Sequence, residues 1–294
     1  MENFAISFDG GGIRALASIQ VLKKILYQLE KRGIDELTVD LLSGTSAGSI
    51  IALVLSRKGF TFKKNIAALE NAFDNFESIF VKAIEGDNPI YLNTGLKKLG
   101  DTLFGDRKLK EARIPVAVFA YDILSANPII LSSLRYPNIS MSEAMQSSCC
   151  APGFFSPIKI SKNNLELVDG GVFANNPVIF TYLETKKLFP KANKTNVLSI
   201  STMWQPTLYN DNKIINEAKL LSNAQMRTSD IIAESITDLN YYRIHKFNLE
   251  KQIKMDKTDF ETKQKLIELG ELLANENLEK INSFIDNLIM RQSI

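Results

Sequence analysis

The pentapeptide Gly44-Thr45-Ser46-Ala47-Gly48 constrains this chain more than any other stretch. It joins an apolar pair, Leu41 and Leu42, to an apolar run from Ile50 to Leu55. That order reads as a strand, a tight turn and a helix. A serine at the apex of such a turn is held out of the sheet on a sharp bend, and glycine on either side removes the Cβ clashes the bend would create. Its hydroxyl then lies at a helix N-terminus, where free backbone N–H groups favour negative charge. The same residues admit a plainer reading, a glycine-rich turn with a buried serine cap, and what separates the two lies elsewhere in the chain.

Residues 4–8 (FAISF) predict a buried strand that runs into Asp9-Gly10-Gly11-Gly12-Ile13-Arg14, and a helix is expected over 15–32 with Gly33 as its stop. Strand, glycine loop, helix, strand, elbow, helix is the alternation of a parallel sheet covered by helices. A long amphipathic helix over 62–80 carries Phe62, Ile66, Leu69, Phe73, Phe76 and Phe80 at three- and four-residue steps, a core-facing stripe on the simplest view. Asn93 or Thr94 caps a helix to about 104, and 105–113 reads as a solvated connection.

Strand pairs are expected at 116–121 with 129–132, around the turn dipeptide Asn127-Pro128, and at 157–160 with 165–168. The second pair delivers Asp169-Gly170-Gly171 at a strand end. Ser140 and Glu143 form a capping box, and Asn176-Pro177 opens a helix to about 188. A core strand over 196–202, a helix over 218–239, a strand over 241–248 and two closing helices from about 258 and 275 complete the pattern. With no repeat, low-complexity segment or Pro/Gly linker, residues 1–294 are expected to form one domain.

Composition narrows the function. Hydrophobic residues make up 45% and charged ones 23% of 294, ordinary for a globular protein, and a net charge of +2 leaves no basic excess to neutralise nucleic-acid phosphates. The two cysteines, Cys149 and Cys150, are adjacent and read as core filler compatible with a reducing compartment. No apolar run reaches the roughly 18 residues that span a bilayer. The stretch 115–131 is interrupted by Asp122, Asn127 and Pro128. No basic leader precedes the first strand, so the expected location is cytoplasmic, with transient contact to membrane surfaces. His245 is the one histidine, which excludes His-rich metal sites and means that any Ser-His triad must use it.

The loops at 9–14, 44–48 and 169–171 all follow predicted strands, so in an open parallel sheet they gather at one edge. Ser46 is the candidate nucleophile. Gly10, Gly11 and Gly12 can turn N–H groups inward as an oxyanion hole, and Asp169 is a carboxylate able to take the Ser46 proton directly.

These residues resemble the patatin-like phospholipases, lipid acyl hydrolases with a Ser-Asp dyad. The family's Asp-Gly-Gly-Gly-x-Arg motif stands here as Asp9 to Arg14, its Gly-x-Ser-x-Gly elbow as Gly44 to Gly48, and its Asp-Gly-Gly as Asp169 to Gly171. Residues 147–157 (SSCCAPGFFSP) match a further stretch, with Cys149-Cys150 where the family usually has paired alanines. Residues 173–177 also match, and Tyr241-Tyr242-Arg243-Ile244 continues the likeness weakly.

The resemblance implies a three-layer fold with a mostly parallel sheet, and cleavage of fatty-acyl esters of phospholipids or related glycerolipids through an acyl-enzyme. Ser46 and Asp169 are then catalytic, Gly10, Gly11 and Gly12 hold the oxyanion, and Arg14 braces the glycine loop, contact with a lipid phosphate being its other role. No metal or cofactor is implied, and a protein or small-molecule activator is left open. The aromatic helix at 62–80, Phe73 and Phe76 above all, is the expected wall of the acyl channel.

Three other readings compete. His245 offers a triad. Gly10-x-Gly12-x-x-Ala15 formally fits a dinucleotide fingerprint, although Asp9 sets a negative charge beside the pyrophosphate and leaves Ser46 and Asp169 idle. A catalytically silent lipid-binding protein is the third.

Overall fold

The computed structural model describes residues 2–84, 89–204, 217–246 and 253–292. Alternate side chains along its central strands feed two separate cores. In β1 (Glu2–Phe8), Phe4, Ile6 and Phe8 enter one core and Ala5 the other; in β2 (Leu41–Thr45), Leu42 and Leu41 divide the same way. Strands apolar on both faces belong in the middle of three layers.

The larger core is covered by α1 (Ala15–Glu30), α2 (Ala47–Leu55) and α3 (Phe62–Asp74). A short antiparallel pair, β3 (Val81–Lys82) and β4 (Tyr91–Leu92), stands outside the main sheet ahead of α4 (Thr94–Phe104). β5 (Val116–Asp122) and β6 (Asn127–Ser132) form a hairpin. α5 (Met141–Cys149) follows, opened by the expected Ser140 and Glu143 capping box.

A second hairpin, β7 (Ile158–Ile160) and β8 (Leu165–Asp169), leads into α6 (Gly171–Ala174), α7 (Val178–Leu188) and β9 (Lys194–Ile200). α8 (Glu217–Ser235) and β10 (Leu239–Ile244) come next, with Val178 of α7 and Ala233 of α8 filling the second core. α9 (Phe260–Glu276) and α10 (Leu278–Gln292) close over the first. A Cβ built on Gly270 of α9 would fall 2.7 Å from Ala17 Cα, so only glycine lets α9 lie this close to α1. Among the described residues no helix is long and apolar enough to cross a membrane.

The strand order is β10-β9-β1-β2-β5-β8-β7, with β6 on the other edge of β5. Pairings from β10 to β5 are parallel; those of β5 with β6 and β8, and of β8 with β7, are antiparallel. β2 follows β5 as far as the Thr45–Phe119 pair, and β8 takes over that edge from Ala120–Asp169 to Asp122–Leu167. The carboxyl ends of β2 and β8 therefore meet head-on. The three loops converge as expected, but the third arrives on a reversed strand rather than a parallel one.

Local departures have local causes. The stripe at 62–80 is two pieces, because α3 ends at Asp74 and a 3-10 turn, Phe76–Ile79, follows. The Asn75 side chain between them donates to the Asn71 carbonyl at 2.9 Å, the kind of competing bond that makes asparagine a poor helix interior. Asn127 and Pro128 begin β6 instead of forming the turn, which lies at 123–126 with Ala126 at a φ of 54°. The 105–113 connection buries Leu109. Of the strand expected over 241–248, residues 247 and 248 lie outside the described residues.

Candidate active site

Ser46 sits between β2 and α2 with φ 53° and ψ −128°, a conformation that costs a non-glycine residue on the order of 1–3 kcal/mol. The neighbouring glycines make the bend possible. A Cβ on Gly44 would fall 2.2 Å from the Gly48 carbonyl oxygen, and one on Gly48 would fall 2.4 Å from that of Phe8. Hydrogen bonds hold the strained residue in place. The Ser46 N–H donates to Ser148 Oγ at 3.0 Å, the Ser148 hydroxyl donates to the Phe119 carbonyl at 2.7 Å, and the Ser49 hydroxyl donates to the Ser46 carbonyl at 2.6 Å.

Asp169, at the end of β8, is 4% exposed and lies beside Ser46, where β8 meets the end of β2 along β5. Burial pushes its carboxyl up to about 6; the Gly171 N–H, 2.7 Å from Oδ1, and the Ser46 hydroxyl both pull it back. Gly170, next in the chain, packs so tightly that a Cβ would fall 2.3 Å from the Phe119 carbonyl oxygen. Phe119 is thus the residue where β2 stops and the loops carrying Ser46 and Asp169 are both tied down.

The glycine loop after β1 closes the site from the third side. A Cβ on Gly10 would lie 3.1 Å from Ser46 Cβ. The Gly10 N–H donates to the Asn175 carbonyl at 2.9 Å, whereas the N–H groups of Gly11 and Gly12 have no acceptor among the described residues. Gly12 adopts φ +59°, where its bare Cα lets the Met255 carbonyl approach. Arg14 is 8% exposed and its Nε donates to the Gly11 carbonyl at 3.1 Å. Burial lowers its guanidinium to about 10, with Asp9 opposing.

An apolar pocket opens on Ser46 and is walled by Ile50, Phe76, Ile79, Phe80, Leu96 and Phe155. Phe76 and Phe80 from the expected aromatic stripe reach it. Phe73 lies one layer back, stacked on Phe76 at 4.6 Å. Cys149 also lines the pocket, and burial pushes its thiol far up. Among the described residues no three His, Cys, Asp or Glu side chains gather as a metal site.

His245 hydrogen-bonds Ser201 through Nδ1 at 2.7 Å and stacks on Trp204 at 5.3 Å. Burial, aided by the Arg243 charge, lowers its imidazole to about 3, which keeps it neutral.

Two supports lie beyond what sequence reasoning assigned. Ser148 falls in the stretch singled out by resemblance, but nothing in its spacing marks it as the acceptor for the Ser46 N–H. Arg243 grips Asp9, and its signal was a lone charge among the strand residues 241–244.

A buried aspartate meeting a serine on a strand–turn–helix apex, at the end of a mostly parallel sheet, defines an α/β protein of three layers. The chain belongs to the patatin-like phospholipase family, whose profile matches residues 6–182 and takes in all three loops. The three-layer fold expected from the sequence is the one observed. Patatin-like protein 3 of Arabidopsis thaliana is 26% identical over 228 residues, covering 64% of this chain and 53% of that protein. The cUMP-AMP-activated phospholipase of Escherichia coli is 24% identical over 212 residues, covering 64% and 61%. The chain thus spans about half the length of the plant relatives it matches. Among solved structures, VipD from Legionella pneumophila aligns with a TM-score of 0.45 and 14% identity over 97% of this chain and 67% of that one.

Proposed function

We propose that the protein is a phospholipase A-type lipid acyl hydrolase in which Ser46 and Asp169 act as a dyad. The observation that carries this reading is the head-on meeting of the β2 and β8 ends along β5, which sets the buried Asp169 carboxyl beside the strained, elbow-borne Ser46. Family membership supports the substrate class of this reading, fatty-acyl esters of phospholipids or related glycerolipids.

Asp169 accepts the Ser46 proton as Oγ attacks the ester carbonyl carbon, and the carbonyl electron pair moves onto oxygen. The N–H groups of Gly11 and Gly12 receive that oxyanion, while Gly10, tied to Asn175, frames them. Collapse expels the lysolipid alkoxide, which takes the proton from Asp169 and leaves an acyl ester on Ser46. Water, giving a proton to Asp169, then attacks the acyl-enzyme; fatty acid departs and the proton returns to Ser46. The reading uses no metal or cofactor, and the pocket beside Ser46 takes the acyl chain.

The test is fatty-acid release from mixed phospholipid vesicles with calcium chelated, by wild type, Ser46→Ala and Asp169→Asn. It is run with and without cyclic dinucleotide, because two relatives are named cUMP-AMP- and cGAMP-activated phospholipases. Wild-type release that falls by about a thousandfold or more in both variants is expected. Full activity in either variant overturns the dyad.

A further inference from the structure

β3 and β4 pair with Val81 opposite Leu92 and Lys82 opposite Tyr91, and the Ala83 N–H donates to the Ile90 carbonyl at 3.0 Å. Strand alternation therefore sets Val81, Ala83, Ile90 and Leu92 on one face. Tyr91 turns the other way. Its ring lies 5.0, 6.1 and 5.7 Å from those of Phe80, Phe154 and Phe155, and all three line the pocket that opens on Ser46. The Ile90 N–H donates to the Gly153 carbonyl at 3.2 Å and the Tyr91 N–H to that of Phe154 at 2.8 Å, which fixes the two strands to the pocket wall.

The outward face is uncovered: Val81 is 40%, Ile90 51% and Leu92 45% exposed, with Ile84 at 81% just beyond. Scattered exposed hydrophobes are ordinary, but a paired face of them marks a contact surface. The Tyr91 hydroxyl donates to Asp256 Oδ2 at 3.2 Å on the side away from that face.

We propose that this face is the surface by which the protein docks on a phospholipid bilayer, placing the pocket mouth against the lipid. The proposal rests on the lipid-hydrolase reading. Continuity names the occupant, since the strands whose inner residue, Tyr91, backs the aromatic wall of the acyl pocket carry the exposed face on their other side. A bilayer is the reservoir of the acyl chains that pocket takes. Residues 81, 83, 90 and 92 bear no charge, so docking proceeds by apolar burial at the headgroup–acyl boundary.

The experiment is flotation of the full chain with phosphatidylcholine vesicles in a Ser46→Ala background, with and without Ile90→Glu and Leu92→Glu. Turnover of a soluble butyryl ester is read in parallel with Ser46 intact. The double variant is expected to lose about tenfold or more of its vesicle partitioning, as burial of each side chain contributes roughly that factor or more, while soluble-ester turnover stays within about twofold. Leu92→Trp, which keeps the face apolar, is expected to shift its fluorescence to the blue on vesicles and to be quenched by brominated lipid.

Vesicle binding that the double variant does not change, or a Leu92→Trp spectrum indifferent to lipid, overturns the proposal. So does concentration-dependent dimerisation that Ile90→Glu abolishes while binding persists, which assigns the face to a second copy. Absent soluble-ester turnover with binding intact would instead remove the hydrolase reading and leave the docking face standing.

Discussion

Arg243 grips both carboxylate oxygens of Asp9, with Nη1 3.0 Å from Oδ1 and Nη2 2.7 Å from Oδ2. The residue ahead of the glycine loop is thereby clamped from β10, two strands away. Arg243 also lies 3.2 Å from Asp230 through Nε and donates to Ser199 Oγ at 2.9 Å. Burial pushes the Asp9 carboxyl up to about 6 even with Arg243 drawing it down. Arg243→Met leaves that carboxyl buried without its partner. The expected loss is roughly 3–5 kcal/mol in urea unfolding, and Asp9→Asn in the same chain should recover part of it. Equal losses in the single and double variants would show that Arg243 acts through packing alone.

Asp169→Asn should stabilise the protein at alkaline pH. A carboxyl whose folded pKa is raised from 3.8 to about 6 binds its proton more tightly in the folded state. Wild-type stability therefore falls as pH rises between those values, by on the order of 3 kcal/mol, and the loss persists above them. The asparagine variant lacks that fall. Its advantage should appear at pH 8 and vanish below about pH 4 in denaturation series; parallel profiles for the two proteins would contradict the assignment.

On the proposed dyad, the same titration governs the rate. Asp169 must be ionised to accept the Ser46 proton, so kcat/KM for a soluble ester should decline through an acid limb near pH 6, tenfold per pH unit below it. A limb near pH 7 that moves on substitution of His245 would indicate a histidine base instead.

Ser148→Ala removes the acceptor for the Ser46 N–H and the donor to the Phe119 carbonyl. Both bonds are lost, at a cost of about 1–3 kcal/mol in thermal or urea unfolding. The apex at φ 53° then loses one of its restraints. kcat should fall by about tenfold with KM little changed, because a misplaced nucleophile weakens the chemical step more than ground-state binding. A pure KM effect would place Ser148 in substrate binding.

Much of this was legible in the sequence because it depends on neighbours along the chain. The elbow glycines, the Ser140–Glu143 box and the period-two burial of β1 each follow from residues a few positions apart. The direction of β8 did not, since a short apolar run before Asp169 reads identically either way along an edge strand, and only its register with β5 reverses it. Arg243 and Ser148 were similarly opaque, as their partners Asp9 and Ser46 lie 234 and 102 residues away. The break at Asn75 was a matter of side-chain competition in a stripe whose spacing continues through it.

If the pocket beside Ser46 takes the acyl chain as proposed, Phe76 decides how deep it runs. It is 2% exposed, stacked on Phe73 at 4.6 Å and set edge-on to Phe80 at 5.8 Å, with the Phe73 ring sealing the space behind it. Phe76→Leu keeps the position apolar but removes part of the ring, leaving room for about two more methylenes. At about 0.8 kcal/mol for each one buried, kcat/KM for a palmitoyl ester relative to a butyryl ester should rise by up to about tenfold. Stability should fall by roughly 1–2 kcal/mol from imperfect repacking. An unchanged chain-length ratio in a folded Phe76→Leu protein would mean that the acyl chain leaves Ser46 along another wall.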